Sequence, residues 1–177
     1  DFKGYLSDLG GPSANMYRMK GKNPDICAQC KKPSCISPVI CKNLNADHTP
    51  LLDIYKEVDS MPEIKRSFIG SGIRYDLLLH RYADDNLNKA AHTYMEELIA
   101  RHVSGRLKVA PEHTEDNVLK MMRKPSFEQF ETFKKIFDRI SYPATPVVPR
   151  RIWQTWLSRP RSCISNSNRY RILHLPL

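Results

Sequence analysis

The sequence predicts an α/β protein built from parallel strands, and three observations carry that prediction. Short β-type runs alternate with helical segments of ten residues or more, which is the pattern of parallel βα units. The first two of these runs close on glycines, at Gly10-Gly11 and Gly70-Ser71-Gly72, and the third closes on Pro111. Such turns mark strands feeding helices. Only three such runs occur before residue 140, too few for a closed barrel or a complete doubly wound sheet. The expectation is therefore a fragment of a larger α/β fold that needs the remainder of its own sheet, since parallel strands need cover on both faces.

Asp1 to Leu9 reads as the first strand. The paired glycines that follow permit positive φ and close approach of the backbone to a ligand. Such a turn lies at the carboxyl edge of a parallel sheet, where ligands bind; an ordinary βα loop is the alternative. Asn15 to Lys20 carries Met16 and Met19 as one face of a short helix. Lys20 to Asp25 is a polar breaker segment. In the loop that follows, Pro33 and Pro38 argue against regular structure.

Thr49-Pro50 opens a helix, with Thr49 as N-cap and Leu51, Leu52, Tyr55 and Val58 as its apolar face. Lys65 to Gly72 is the second strand, with Arg74, Tyr75 and Asp76 just beyond its edge. Asp84 to His102 is the clearest helix, stopped by Gly105. Arg106 to Ala110 is the third strand, closed by Pro111 and the polar run Glu112-His113-Thr114-Glu115. A helix from Glu115 to Arg123 stops before Pro125. Ser126 and Gln129 then cap a helix running to Ile140, with Phe130, Phe133, Phe137 and Ile140 inward.

The net charge of +9 raises nucleic-acid binding, but its distribution argues against it. Residues 141–177 hold six arginines and no Asp or Glu; without them 22 basic residues face 19 acidic ones. The body, residues 1–140, is nearly balanced and carries no basic stripe interleaved with aromatics. Residues 141–177 also hold both tryptophans and five of the 13 prolines, with no Lys, Gly, Phe or Met. They read as an irregular basic tail, either a disordered interaction segment or an out-of-frame continuation. Ile152-Trp153-Gln154-Thr155-Trp156-Leu157 is what a shifted reading of codons for Asp-Met-Ala-Asp-Leu-Ala would give. No apolar run is long enough to cross a membrane. Five cysteines without a secretory leader point to a reducing, cytoplasmic setting in which thiols serve metals or redox chemistry.

Four of those cysteines lie in an insertion at 26–48. Cys27 and Cys30 form a CxxC pair, and Cys35 and Cys41 follow within eleven residues. Two thiolates on one knuckle and two more nearby could complete a tetrahedral zinc site or hold an iron–sulfur cluster. Four reduced thiols in a proline-stiffened loop is the alternative.

Four stretches stand together: Ser7 to Tyr17, the cysteine loop with Asp47-His48, Ser71-Gly72-Ile73-Arg74-Tyr75-Asp76, and Leu107 to Glu115. In this order they resemble the YgiQ-type family of radical S-adenosylmethionine (SAM) proteins, over roughly residues 1–140. The resemblance implies a fragment of a partial (β/α) barrel of the radical SAM type. It also implies an enzyme of unknown substrate, in which a [4Fe-4S] cluster cleaves SAM to a 5′-deoxyadenosyl radical. By position, Gly10, Gly11 and Pro12 match the glycine motif that meets the methionyl amino group of SAM. Pro12 replaces the more usual acidic residue, so no carboxylate contact comes from there. Ser71, Arg74 and Glu112 face the same cofactor mouth, Arg74 towards the SAM carboxylate and Glu112 towards a ribose hydroxyl or the amino group. A structural ion pair is the alternative for Arg74 and Asp76, and a hydrogen-bonded loop histidine is the favoured reading of His113. One departure is decisive: CxxxCxxC, which supplies the radical cluster's thiolates, does not occur in this sequence. The fragment is therefore expected to be inactive alone. Cys27, Cys30, Cys35 and Cys41 are a separate feature, either a second metal site or a binding module without radical chemistry.

Overall fold

The computed structural model describes residues 2–11 and 13–141, and the backbone alone of 151–156. Pro12 and most of the tail, residues 142–150 and 157–177, lie outside the described residues. Three chain segments run side by side in sequence order. β1 (Tyr5–Leu6) pairs in parallel with β2 (Arg66–Ser67), Tyr5 opposite Arg66 and Leu6 opposite Ser67. The ladder outruns these short strands, because Phe68 N donates to Leu6 O at 2.9 Å and Leu9 N to Phe68 O at 2.7 Å. The segment after β2 runs beside β3 (Arg106–Glu112), with Ile73 N donating to Lys108 O at 3.2 Å and, before it, Ile69 N to His102 O at 2.9 Å, although β2 and β3 belong to separate two-stranded sheets.

The first two strands are much shorter than the sequence predicts. Gly4, at φ +84°, breaks the extended backbone just before β1, and a Cβ there would lie 2.9 Å from Glu63 O. The predicted helix from Asn15 to Lys20 is a succession of turns instead. Its methionines pack outward onto the cysteine segment, beside Leu44, Ala46, Leu77, Tyr82 and Leu87.

Helix α1 (Pro24–Ala28) enters the cysteine loop, where regular structure was not expected. Pro24 sits in its first turn, and the Asn23 side chain caps it by accepting from Asp25 N at 2.9 Å. α2 (Thr49–Ser60) starts one residue earlier than predicted: His48 takes the cap position, and the Asp47 carboxylate accepts from Thr49 N at 2.9 Å. α3 (Tyr75–Leu79) is a helix that the sequence reading left as strand edge.

α4 (Asp85–Glu97) begins one residue inside the predicted bounds, with Asp84 as its cap, and its last turn, Leu98–His102, is wound as a π-helix. Gly105 at φ +120° then turns the chain into β3, a conformation a side chain rarely adopts. α5 (Asp116–Met121) and α6 (Phe127–Ser141) follow, and Gln129 N reaches Ser126 Oγ at 3.4 Å, half of the predicted capping box. Phe130, Phe133 and Phe137 of α6 join Tyr55 of α2, Tyr94, Leu98 and Ile99 in one buried core against Ile69, Leu107 and Val109. Ile140 is only partly buried at its edge.

The tail reading needs one correction. Its residues Arg151–Trp156 form a strand, β4, paired in parallel with β3 from Arg106 opposite Arg151 to Glu112 opposite Trp156. The β-branched and aromatic residues Ile152, Trp153, Thr155 and Trp156 suit a strand, although the surrounding composition hides it.

Candidate functional site

The predicted site residues sit where the three segments end. Asp8, just past β1, is the hinge of the arrangement. Its carboxylate accepts from Gly70 N at 3.0 Å, Ser71 N at 3.2 Å and Ser71 Oγ at 2.5 Å. Burial is the largest single influence and pushes the Asp8 pKa up, but these hydrogen bonds and the charge of Lys108 together outweigh it and hold the carboxyl below its ordinary range. Ser71 is thus committed to Asp8 across 63 residues of chain.

The two glycines beside Asp8 differ. A Cβ on Gly10 would stand 2.8 Å from Asp8 Oδ1, 3.1 Å from Ser71 Cβ and 3.2 Å from Ala14 Cβ. A Cβ on Gly11 would meet nothing within 4 Å, and the same is true of Gly72. Neither Gly10 nor Gly11 has positive φ, so the expected use of left-handed backbone at this turn is not what the pair provides. Gly10 serves the packing of the two loops, while Gly11 leaves its backbone open to a hollow of about 670 Å³ that also involves Tyr17 and Leu51.

Asn15, fully buried, fastens the first loop to the second. It accepts from Arg74 N at 2.8 Å and donates to Arg74 O at 2.9 Å, satisfying both main-chain groups of that residue. The Arg74 guanidinium is paired side-on with Asp76, Nε to Oδ1 at 2.9 Å and Nη2 to Oδ2 at 2.5 Å. Burial works to lower the Arg74 pKa, and the Asp76 carboxylate overcomes it and raises the value. Both side chains border a cleft of about 550 Å³ between the cysteine loop and α6.

Glu112 ends β3 in a strained conformation. Its φ is +66°, and His113 N donates across it to Pro111 O at 2.8 Å, which closes a three-residue γ-turn of the rarer, positive-φ kind. The carboxylate is nearly buried and paired with Lys124 Nζ at 2.8 Å. His113 Nδ1 accepts from Glu115 N at 2.9 Å, the loop-histidine role read from the sequence. Pro12 lies outside the described residues.

The four cysteines are not drawn together. Cys27, Cys30 and Cys35 are exposed and Cys41 is half-buried, all with free thiols. Among the described residues, three metal-capable side chains bring their ligand atoms within 4.8 Å of one another only at Asp59, Glu97 and His102, far from this loop in sequence. Two sulfurs do accept hydrogen bonds: Cys27 Sγ from Asn43 Nδ2 at 3.2 Å and Cys30 Sγ from Lys32 N at 3.4 Å.

Sequence reasoning named Asp47-His48 but gave it no role, and it missed those of Asp8 and Asn15. Side-chain contacts to main-chain atoms some 60 residues away leave no periodic signal. His48 packs on Tyr94 with ring centroids 4.9 Å apart, and burial pushes its pKa down to about 4. An unfolded histidine binds its proton near pH 6.5. Stability should therefore be level above that pH and decline as pH falls from 6.5 towards 4, where the unfolded state holds more protons. His48→Phe should flatten that part of the profile in urea denaturation measured across this range, and an unaltered profile would assign the slope elsewhere.

The chain is similar to several curated proteins. It is 72% identical over 141 residues to a UPF0313 protein of Bacteroides thetaiotaomicron, covering 80% of the chain and 23% of that protein. Identity to a UPF0313 protein of Porphyromonas gingivalis is 65% over 141 residues, 80% of the chain and 22% of the relative. A UPF0313 protein of Pseudomonas syringae is 43% identical over 143 residues, 81% of the chain and 17% of the relative. The chain thus spans less than a quarter of the length of these relatives. No protein-family model and no solved structure matches it. No helix among the described residues is long and apolar enough to cross a membrane. Across about four fifths of its length the chain is thus similar to UPF0313 proteins.

Proposed function

We propose that this chain is a central βα segment of a radical SAM enzyme, a sector of a partial (β/α) barrel whose carboxyl edge contributes to the SAM site. One observation carries the reading beyond the motifs: the loops after the first two strands, which hold the glycine motif and Ser71 to Arg74, are cross-linked into a single edge by Asp8 and Asn15. Glu112 ends the third segment of the same parallel series.

The residues fit SAM in part. Gly11 and Gly72 leave main chain unobstructed, as a ligand lying on the backbone requires. Arg74 and Glu112 already hold Asp76 and Lys124, so contact with SAM would have to share or exchange those partners. The radical cluster does not fit this chain, which has no CxxxCxxC. SAM bound at such a cluster supplies a 5′-deoxyadenosyl radical; this segment's part is to position the amino-acid end of SAM.

The test uses the full-length Bacteroides thetaiotaomicron relative. Reconstituted with iron and sulfide under nitrogen and reduced with dithionite, it should release 5′-deoxyadenosine from SAM. A protein with full cluster occupancy that releases none would overturn the reading. A thiol-rich metal-binding module is the second reading, favoured by the N–H groups already directed at Cys27 and Cys30. It predicts iron or zinc in the purified relative without 5′-deoxyadenosine.

A further inference from the structure

At the opposite, amino end of the strands, the π-helical turn builds a cluster that the SAM reading does not use. A π-helix bonds residue i to i+5 and so stacks His102 over Glu97, where an α-helix would place Arg101 alone above it. Asp59, near the end of α2, completes the group. The ligand atoms of Asp59, Glu97 and His102 all lie within 4.8 Å of one another.

The imidazole supplies an independent observation. His102 is 1% exposed, and its Nδ1 lies 3.0 Å from Ser67 O. A carbonyl only accepts, so Nδ1 carries the hydrogen, and the Ser67 hydroxyl also lies 3.0 Å from it, which leaves Nε2 as the ring's coordinating position. Ser67 Oγ meanwhile donates to Asp59 Oδ1 at 2.8 Å, so one residue orients both side chains. Nε2 has no hydrogen-bond partner, and it points at Glu97 Oε1, 3.7 Å away, and Asp59 Oδ2, 3.9 Å away. Facing two carboxylate oxygens, a buried Nε2 is satisfied by its own proton or by a cation placed among the three groups.

We infer that Asp59, Glu97 and His102 bind a divalent first-row transition cation. One imidazole nitrogen and two carboxylate oxygens suit zinc, and the Ser67 carbonyl is the outer partner that metal-bound histidines characteristically have. Bonds of zinc length in a tetrahedron place ligand atoms about 3.3 Å apart, so the three groups must draw inward from separations that are 3.7 and 3.9 Å at the imidazole. Arg101 currently spans the same oxygens, Nη2 to Asp59 Oδ2 at 3.1 Å and Nε to Glu97 Oε1 at 3.2 Å. Its side chain is 56% exposed and can swing into water, giving way to a double charge. The ion would tie the end of α2 to the end of α4 beneath β2, a fastening role well away from the glycine loops.

The experiment is a calorimetric zinc titration of the full chain carrying serine at all five cysteines, Cys27, Cys30, Cys35, Cys41 and Cys163, which removes the competing thiols. One saturable site is expected. Arg101→Gln, a change at an exposed position, should tighten zinc at least tenfold, since the competing cation is gone. His102→Gln should weaken it at least a hundredfold. Absence of saturable binding, or an Arg101→Gln variant that binds no tighter, would overturn the inference even if His102→Gln fails to fold. Neither result bears on release of 5′-deoxyadenosine by the relative, so the two readings fail separately.

Discussion

Asn15→Ala should lower the stability of the chain by about 3 kcal/mol, measured as the urea midpoint shift at constant slope. Asn15 is fully buried and satisfies both the N–H and the C=O of Arg74. Removing it leaves two part-buried main-chain groups without their partner, each at a cost of about 1–3 kcal/mol, the sum reduced by whatever water enters. The damage should be local as well as global. Amide exchange at Arg74 should accelerate beyond what the stability loss explains, because Asn15 Oδ1 is the acceptor that protects that proton. A loss below about 0.5 kcal/mol would mean that the two loops do not depend on this clasp.

Gly10→Val and Gly11→Val should part company. At Gly10 the added atoms push against Asp8, Ser71 and Ala14, and overpacking of this sort costs about 1–3 kcal/mol. At Gly11 they enter open space, so stability should hardly change. In the full-length Bacteroides thetaiotaomicron relative, valine at the position matching Gly11 should weaken SAM binding at unchanged iron content. Calorimetric SAM titration at matched iron reads this directly. Unchanged affinity would remove Gly11 from the SAM site, and equal destabilisation by both substitutions would contradict the difference in packing. The sequence alone treats these adjacent glycines as a pair; only the position of Asp8 separates them.

The helices that periodicity describes well are the ones the structure keeps. Phe130, Phe133 and Phe137 recur at helical spacing and are all buried, and Leu87, Ala91 and Tyr94 do the same on α4. Departures occur where the backbone obeys something other than its local pattern. Glycine at φ +84° cuts the first strand short. Met16 and Met19 have helical spacing, but the cysteine segment claims them in non-helical turns. The π-helical winding of Leu98–His102 is invisible to a search for a 3.6-residue period, and with it the meeting of Glu97 and His102. At the candidate site the motif residues were legible as types in order. The pairing of Arg74 with Asp76 was legible as an alternative, whereas that of Asp8 with Ser71 depended on a contact that only the folded chain supplies.

The side-by-side order of the three segments also sets the entropy of assembling them. Asp8 meets Ser71 across 63 residues, and Ser67 meets His102 across 35. Closure cost grows only with the logarithm of loop length, so the longer loop is disfavoured by on the order of 0.5 kcal/mol. The cysteine insertion at 26–48 lies wholly inside that longer loop. Its presence therefore adds almost nothing to the difficulty of bringing β1 onto β2, and a segment with its own chemistry can be carried there without taxing the folding of the sheet.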